Sequence, residues 1–173
     1  MGILDYPRHF LLLGGGAVAL AVMTLLPSIF SGRLFVLFGV AGALHAIAVV
    51  LALRSRPSWP ARLAFVAAAA AASIVALLGA FALAGLVKLD AAAVVFLTLA
   101  LTSAFGAVLY WLLLRGWWAP FLSSRSLLVT VAACVAATLV AALASSLLPL
   151  PRDLLLPVLW WLAFSGALRV ADR

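Results

Sequence analysis

Apolar residues in this chain neither alternate nor recur on one helical face. They come in long unbroken blocks, separated by short segments that hold most of the Arg, Lys, Asp and Pro. Six blocks cover residues 10–30, 34–53, 63–87, 91–114, 127–148 and 154–170. A helix needs about 20 mainly apolar residues to cross a hydrocarbon layer roughly 30 Å thick. It also satisfies its own backbone hydrogen bonds in lipid, so each block predicts a transmembrane helix. Alternating ten-residue segments of the β-barrel kind are absent. The sixth block is the shortest and carries Arg169 in its last turn, from which a long side chain reaches the headgroups. The expected fold class is an all-α membrane protein with one transmembrane domain over 1–173. The first block follows Arg8 and carries Ala17, Ala19 and Ala21 at cleavage-like spacing, but its apolar run continues to Phe30, so it reads as a retained helix and not a cleaved leader.

Composition removes the alternatives. The chain is 69% hydrophobic and 9% charged, with a mean hydropathy of +1.36, too few polar residues to cover a soluble surface. The same numbers exclude disorder, and the single Cys134 excludes an internal disulfide framework. The net charge of +7 comes from 11 Lys and Arg against four acidic residues, all Asp. In a soluble protein that excess would suggest nucleic acid. Here the basic residues stand singly or in small groups between apolar blocks, as orientation signals do. One side of the predicted membrane receives Arg8, Arg54, Arg56, Arg62, Arg115, Arg125, Arg169 and Arg173, the other only Arg33, Lys88 and Arg152. The positive-inside rule then puts both termini in the cytoplasm of a bacterial inner membrane. Trp59, Trp111, Trp117 and Trp118 fall near the same boundary, where indole rings favour the headgroup level.

The outer connections are short and the inner ones longer, so the six helices read as three hairpins, about 9–54, 62–115 and 126–170, all entered from one side. The second helix of each carries a related tripeptide: Gly42-Ala43-Leu44, Gly106-Ala107-Val108 and Gly166-Ala167-Leu168. Leu25-Leu26-Pro27 begins the first turn and Leu147-Leu148-Pro149 the third, and each unit ends near a Leu-Arg pair. Such self-similarity predicts one supersecondary unit used three times in parallel, unlike the inverted repeats of many secondary transporters.

The stretches from Leu25-Leu26-Pro27 through Phe38-Gly39-Val40-Ala41-Gly42-Ala43-Leu44, and from Leu147-Leu148-Pro149 through Phe164-Ser165-Gly166-Ala167-Leu168, resemble the bacterial inner-membrane proteins related to the acid-resistance protein HdeD. The middle hairpin departs from the pattern, with Lys88 and Asp90 in its turn. The resemblance implies a six-helix inner-membrane protein linked to survival in acid, with no catalytic residues to carry over.

Candidate chemistry is sparse. His45 is the one ionisable residue well inside a predicted span, and it reads either as a proton carrier or ligand contact, or as a neutral ring bonded to a neighbouring carbonyl. Trp160 and Trp161 lie too deep for the interfacial belt. They are candidates to line a cavity for a lipid or apolar ligand, against the plainer role of filling gaps between helices. Asp90 and Asp153, in the outer turns, are candidates for sensing external acidity, against the plainer role of pairing with Lys88 and Arg152. His9, near the boundary, and Cys134 form no metal-ligand spacing with His45, so no metal and no cofactor are expected. No nucleophile–base constellation, phosphate loop or carboxylate pair is present, and an enzyme is not expected. Gly14-Gly15-Gly16, the Ala run over 67–72, and Ala133, Ala137 and Ala141 predict faces for close helix packing. Membrane lipids are the expected partners, with a homo-oligomer or another membrane protein meeting these faces. Two functions follow: a structural or envelope and acid-stress protein without catalysis, or a substrate- or lipid-binding membrane subunit of a transporter complex.

Overall fold

The computed structural model describes residues 4–25, 33–55, 57–88, 90–148 and 151–171. The described residues form six helices: α1 (Tyr6–Leu25), α2 (Arg33–Ala52), α3 (Trp59–Ala84), α4 (Ala91–Trp117), α5 (Ser124–Leu147) and α6 (Arg152–Ala171). The predicted turn residues Pro27 and Pro149 lie outside the described residues. Five helices are long and apolar enough to cross a membrane, and α6 has a shorter apolar segment, Leu154–Val170. Of those five, the first is the least apolar, with a mean hydropathy of 1.2 against 2.2 or more for the other four.

Local sequence sets the helix starts. Pro60 stands in the first turn of α3, where a missing N–H costs nothing. Asp90 caps α4 by accepting from the Ala93 N–H at 2.8 Å, and Ser123 caps α5 by accepting from the Ser126 N–H at 3.2 Å. Each cap satisfies a donor that the helix leaves orphaned, worth about 1 kcal/mol.

Each helix packs on the next, and α6 closes the ring by packing on α1 and touching α2. α3 packs on α2 as extensively as on α4, and more extensively than α1 packs on α2, so the six helices form a continuous ring. One end gathers the start of α1 and the ends of α2 and α6: Leu4 bridges to Leu53, the Asp5 N–H donates to the Ala52 carbonyl, and the Arg169 guanidinium lies over the Tyr6 ring. Phe65 of α3 meets Trp117 and Trp118 at that end.

The bundle is apolar outside, and its interior is apolar too but encloses a set of polar side chains. Leu11, Val18, Val75, Leu128, Val140 and Leu147 are exposed, whereas His9, His45, Thr98, Thr102, Ser103, Ser126, Thr130, Thr138 and Ser165 are buried. Lipid tails are as apolar as leucine, so such a bundle gains from close packing and interhelical hydrogen bonds, the latter about 0.6 kcal/mol each on average. The Thr138 hydroxyl donates to Ser103 Oγ at 3.0 Å and the Trp111 N–H to Ser126 Oγ at 3.1 Å, tying α4 to α5.

Three packing expectations are corrected. Trp111 is no belt residue: it is 1% exposed, and its N–H is used inside the bundle, nearly two helical turns before Trp117 and Trp118. The inward face of α5 is the stripe Ser126, Thr130, Cys134, Thr138 and Ala141, so of the three alanines Ala141 is buried as expected, while Ala133 and Ala137 are half-buried at its edge. Of the glycine triplet only Gly16 has a close neighbour, Trp161 at 3.5 Å from a Cβ built there; Gly14 and Gly15 face open space. The three repeat glycines also differ. A Cβ on Gly42 collides with Ser73, one on Gly106 comes within 3.6 Å of Trp160, and one on Gly166 meets nothing within 4 Å.

Candidate functional site

The buried polar residues are not scattered. His45 sits in the penultimate turns of α2, fully buried, and four rings of other helices surround it: Tyr110 at 4.8 Å between centroids, Trp160 and Phe164 edge-on at 5.6 Å, and Trp161 nearly parallel at 6.1 Å. The fifth ring is His9, at 5.9 Å. Trp160 also stacks on Phe164 at 5.1 Å. His45, Trp160 and Trp161, singled out separately in the sequence, therefore form one cluster.

Ser165 joins the two histidines. Its Oγ lies 2.7 Å from His9 Nε2 and 3.5 Å from His45 Nε2. A hydroxyl donates one hydrogen bond and accepts others, so one ring takes the Ser165 proton and the other donates its N–H to the oxygen. The direction of each bond is set by the tautomer of the ring that makes it. On its far side His9 approaches the Ala48 backbone without full hydrogen-bond geometry. His45 Nδ1 and the Tyr110 hydroxyl are buried with no hydrogen-bond partner in the chain. Buried polar groups in native proteins are nearly always satisfied, so orphaned atoms in one cluster mark a place where water or a ligand group binds.

A cleft of about 80 Å³ adjoins the cluster. Phe38 and Gly42 line it from α2, Ser73 from α3, Thr102, Ser103 and Tyr110 from α4, Thr138 from α5, and Pro157, Trp160 and Trp161 from α6. Along α4 it extends from Leu99 to Tyr110, roughly 16 Å at the helical rise of about 1.5 Å per residue. Its walls are mainly apolar, with the Trp160 N–H turned to the Ser103 carbonyl at 3.4 Å. Thr102 spends its proton on the Thr98 carbonyl at 2.7 Å and Ser73 on Ala69 at 3.0 Å, leaving oxygen lone pairs toward the cleft. An apolar pocket with few convergent polar groups is the usual form of a small-molecule site.

The acid-sensing candidates are elsewhere. Asp90 is exposed and engaged in the α4 cap, and the Asp153 side chain lies outside the described residues. Among the described residues no three of His, Cys, Asp and Glu gather to form a metal site, and Cys134 is a buried free thiol. Sequence reasoning missed His9, Ser165 and Tyr110. The place of His9 beside His45 follows from the pairing of residues 4 and 5 with 53 and 52, which sets 9 opposite 48, one turn from His45, and that register belongs to the fold and not to the sequence pattern. Comparison with known proteins adds no name to the site, since no family model, no curated protein and no solved structure matches this chain.

Proposed function

We propose that this chain is a small polytopic inner-membrane protein, without catalysis, that binds a small lipid-soluble molecule in the cleft between α2, α3, α4, α5 and α6. The observation that carries this reading is the coincidence of an apolar cleft with the Trp160–Trp161–Tyr110 wall, in which the buried Tyr110 hydroxyl has no hydrogen-bond partner among the described residues. At about 80 Å³ the cleft takes only a small apolar group, such as the end of a lipid-soluble molecule, packing on the indoles and engaging Tyr110. Acting as a binding subunit beside a partner protein is compatible with the open face at Gly14 and Gly15, where a further helix can approach closely. Native mass spectrometry from mild detergent is expected to show a bound small molecule, and Trp160→Ala to lower its occupancy about tenfold, the equivalent of ~1.4 kcal/mol. Unchanged occupancy in that variant, or a wild-type protein that carries nothing, would overturn the proposal.

The same proposal includes six spans in three parallel hairpins with both termini cytoplasmic. It is supported by the eight-to-three distribution of basic residues and by the meeting of residues 4–6 with 52, 53 and 169 at one end of the bundle. Reporter fusions at Ser58, Ser123 and the C-terminus should all read cytoplasmic. A periplasmic signal at any one of them contradicts this orientation.

A further inference from the structure

The polar groups that line the cleft differ in what they still have to offer. Ser73 gives its hydroxyl proton to the Ala69 carbonyl and Thr102 gives its own to the Thr98 carbonyl. Thr138 donates to Ser103 Oγ, and the Trp160 N–H turns to the Ser103 carbonyl. Each of these groups has a partner within the chain. Tyr110 is the exception: it is 2% exposed, its ring stands among His45, Phe65, Trp160 and Phe164, and its hydroxyl has no hydrogen-bond partner among the described residues. Leaving a buried donor unmade is costly, and a phenol, more acidic than an aliphatic alcohol, gains most by donating. What the site lacks is an acceptor.

The lining also says what the acceptor is not. Among the described residues that line the cleft there is no Lys, Arg, His, Asp or Glu. The nearest ionisable ring, His45, lies against the Tyr110 ring but outside the lining. A carboxylate or an ammonium group drawn into this cleft would be buried without a counter-charge, at a depth where charge is expensive. Size sets the last condition. About 80 Å³ admits an end group of a few heavy atoms and no more.

We infer that the molecule held in the cleft is uncharged and presents an acceptor oxygen of the carbonyl kind to the Tyr110 hydroxyl. This deepens the binding reading above and rests on it. A carbonyl accepts the phenol proton and brings no proton of its own that would need a partner. The indoles of Trp160 and Trp161 flank the carbon atoms beside it. A longer apolar body leaves the cleft toward the starts of α2 and α6, where Phe38 and Leu156 line it and are only half-buried.

The test uses three probes that share an undecyl chain, added to the full chain in mild detergent and read by native mass spectrometry. The first is undecyl methyl ketone, the second its analogue with a methylidene group in place of the carbonyl oxygen, and the third dodecanoate in alkaline buffer, where the carboxyl is ionised. The ketone is expected to bind about tenfold tighter than the analogue, the equivalent of ~1.4 kcal/mol, and at least about tenfold tighter than dodecanoate. Tyr110→Phe keeps the ring and removes the donor, so the advantage of the ketone over its analogue should vanish. Trp111→Phe, which removes a hydrogen bond outside the cleft, should preserve that advantage. Should Tyr110→Phe fail to fold, the wild-type comparison decides alone. Equal binding of ketone and analogue, an advantage that survives in Tyr110→Phe, or dodecanoate bound as tightly as the ketone overturns the inference and leaves the binding reading standing. Failure of all three probes also overturns it: a different molecule carried by the purified protein then upholds the binding reading, and an empty protein sinks both.

Discussion

Replacing Gly42 by valine is expected to cost about 3 kcal/mol, the upper part of the range for overpacking a filled interior, and to lower the unfolding midpoint in detergent accordingly. The first added carbon is enough to create the conflict, since it collides with the Ser73 side chain and comes within 2.9 Å of the Ala69 carbonyl. The serine has little freedom, because it donates to that same carbonyl at 3.0 Å. The carbonyl has less, being part of the α3 backbone. Relief therefore requires α2 and α3 to move apart, and in lipid that separation forfeits packing, the main source of their association. Pairing Gly42→Ala with Ser73→Ala should recover only part of the loss, since the carbonyl remains. Gly166→Ala, with open space at its Cβ, should be neutral or slightly stabilising, as alanine is the better helix former by up to about 1 kcal/mol. Equal losses at 42 and 166 would contradict the tight α2–α3 contact.

Trp161→Ala carries the second large effect. The ring is 2% exposed, belongs to a buried cluster with Leu13, Leu20, Leu37 and Ala41, lies parallel to His45, and fills the space against Gly16. Truncating a buried tryptophan in a soluble protein costs about 3–5 kcal/mol, part of it lost transfer from water. In lipid that part is absent, so about 3 kcal/mol is expected, from lost packing alone. The vacated volume also joins the cleft, because Trp161 is one of its walls. A larger apolar molecule should then occupy the variant in native mass spectrometry even as its thermal stability falls. A variant as stable as wild type would show that the ring faces lipid and not the bundle.

Much of the site was legible without coordinates, for unequal reasons. His45, Trp160 and Trp161 stand out because a ring with a polar nitrogen is out of place at mid-membrane unless something meets it. That they meet one another is a consequence of α2 and α6 touching across the ring, which no local pattern reports. Ser165 was visible only as a letter of the Phe164-Ser165-Gly166 stretch, since a serine in a membrane helix ordinarily bonds its own backbone. His9 was placed near the boundary because Arg8 precedes it and the first apolar block begins after it, and nothing in that pattern reports that it is buried. The bundle end reaches further out than that block, to the Leu4–Leu53 bridge, and so encloses it. Trp111, placed at the same boundary, is likewise buried by its neighbours, which hydropathy along the chain does not report.

The amino-acid sequence by itself determined the solvent, the number and length of the helices and the end at which the arginines collect. Each of these depends on hydropathy and charge summed along the chain, a one-dimensional quantity. Which face of each helix turns inward was decided only by the tertiary structure. In a soluble helix the polar face points to water and marks the phase, but here the outside is lipid and almost every position is apolar, so the phase is set by small-residue contact such as Gly42 on Ala69 and by a few hydroxyls that find partners on other helices. The closing of α6 on α1 is likewise a matter of packing. It brings His9, from the first turn of the chain, to Ser165 near its end, and so makes the candidate site.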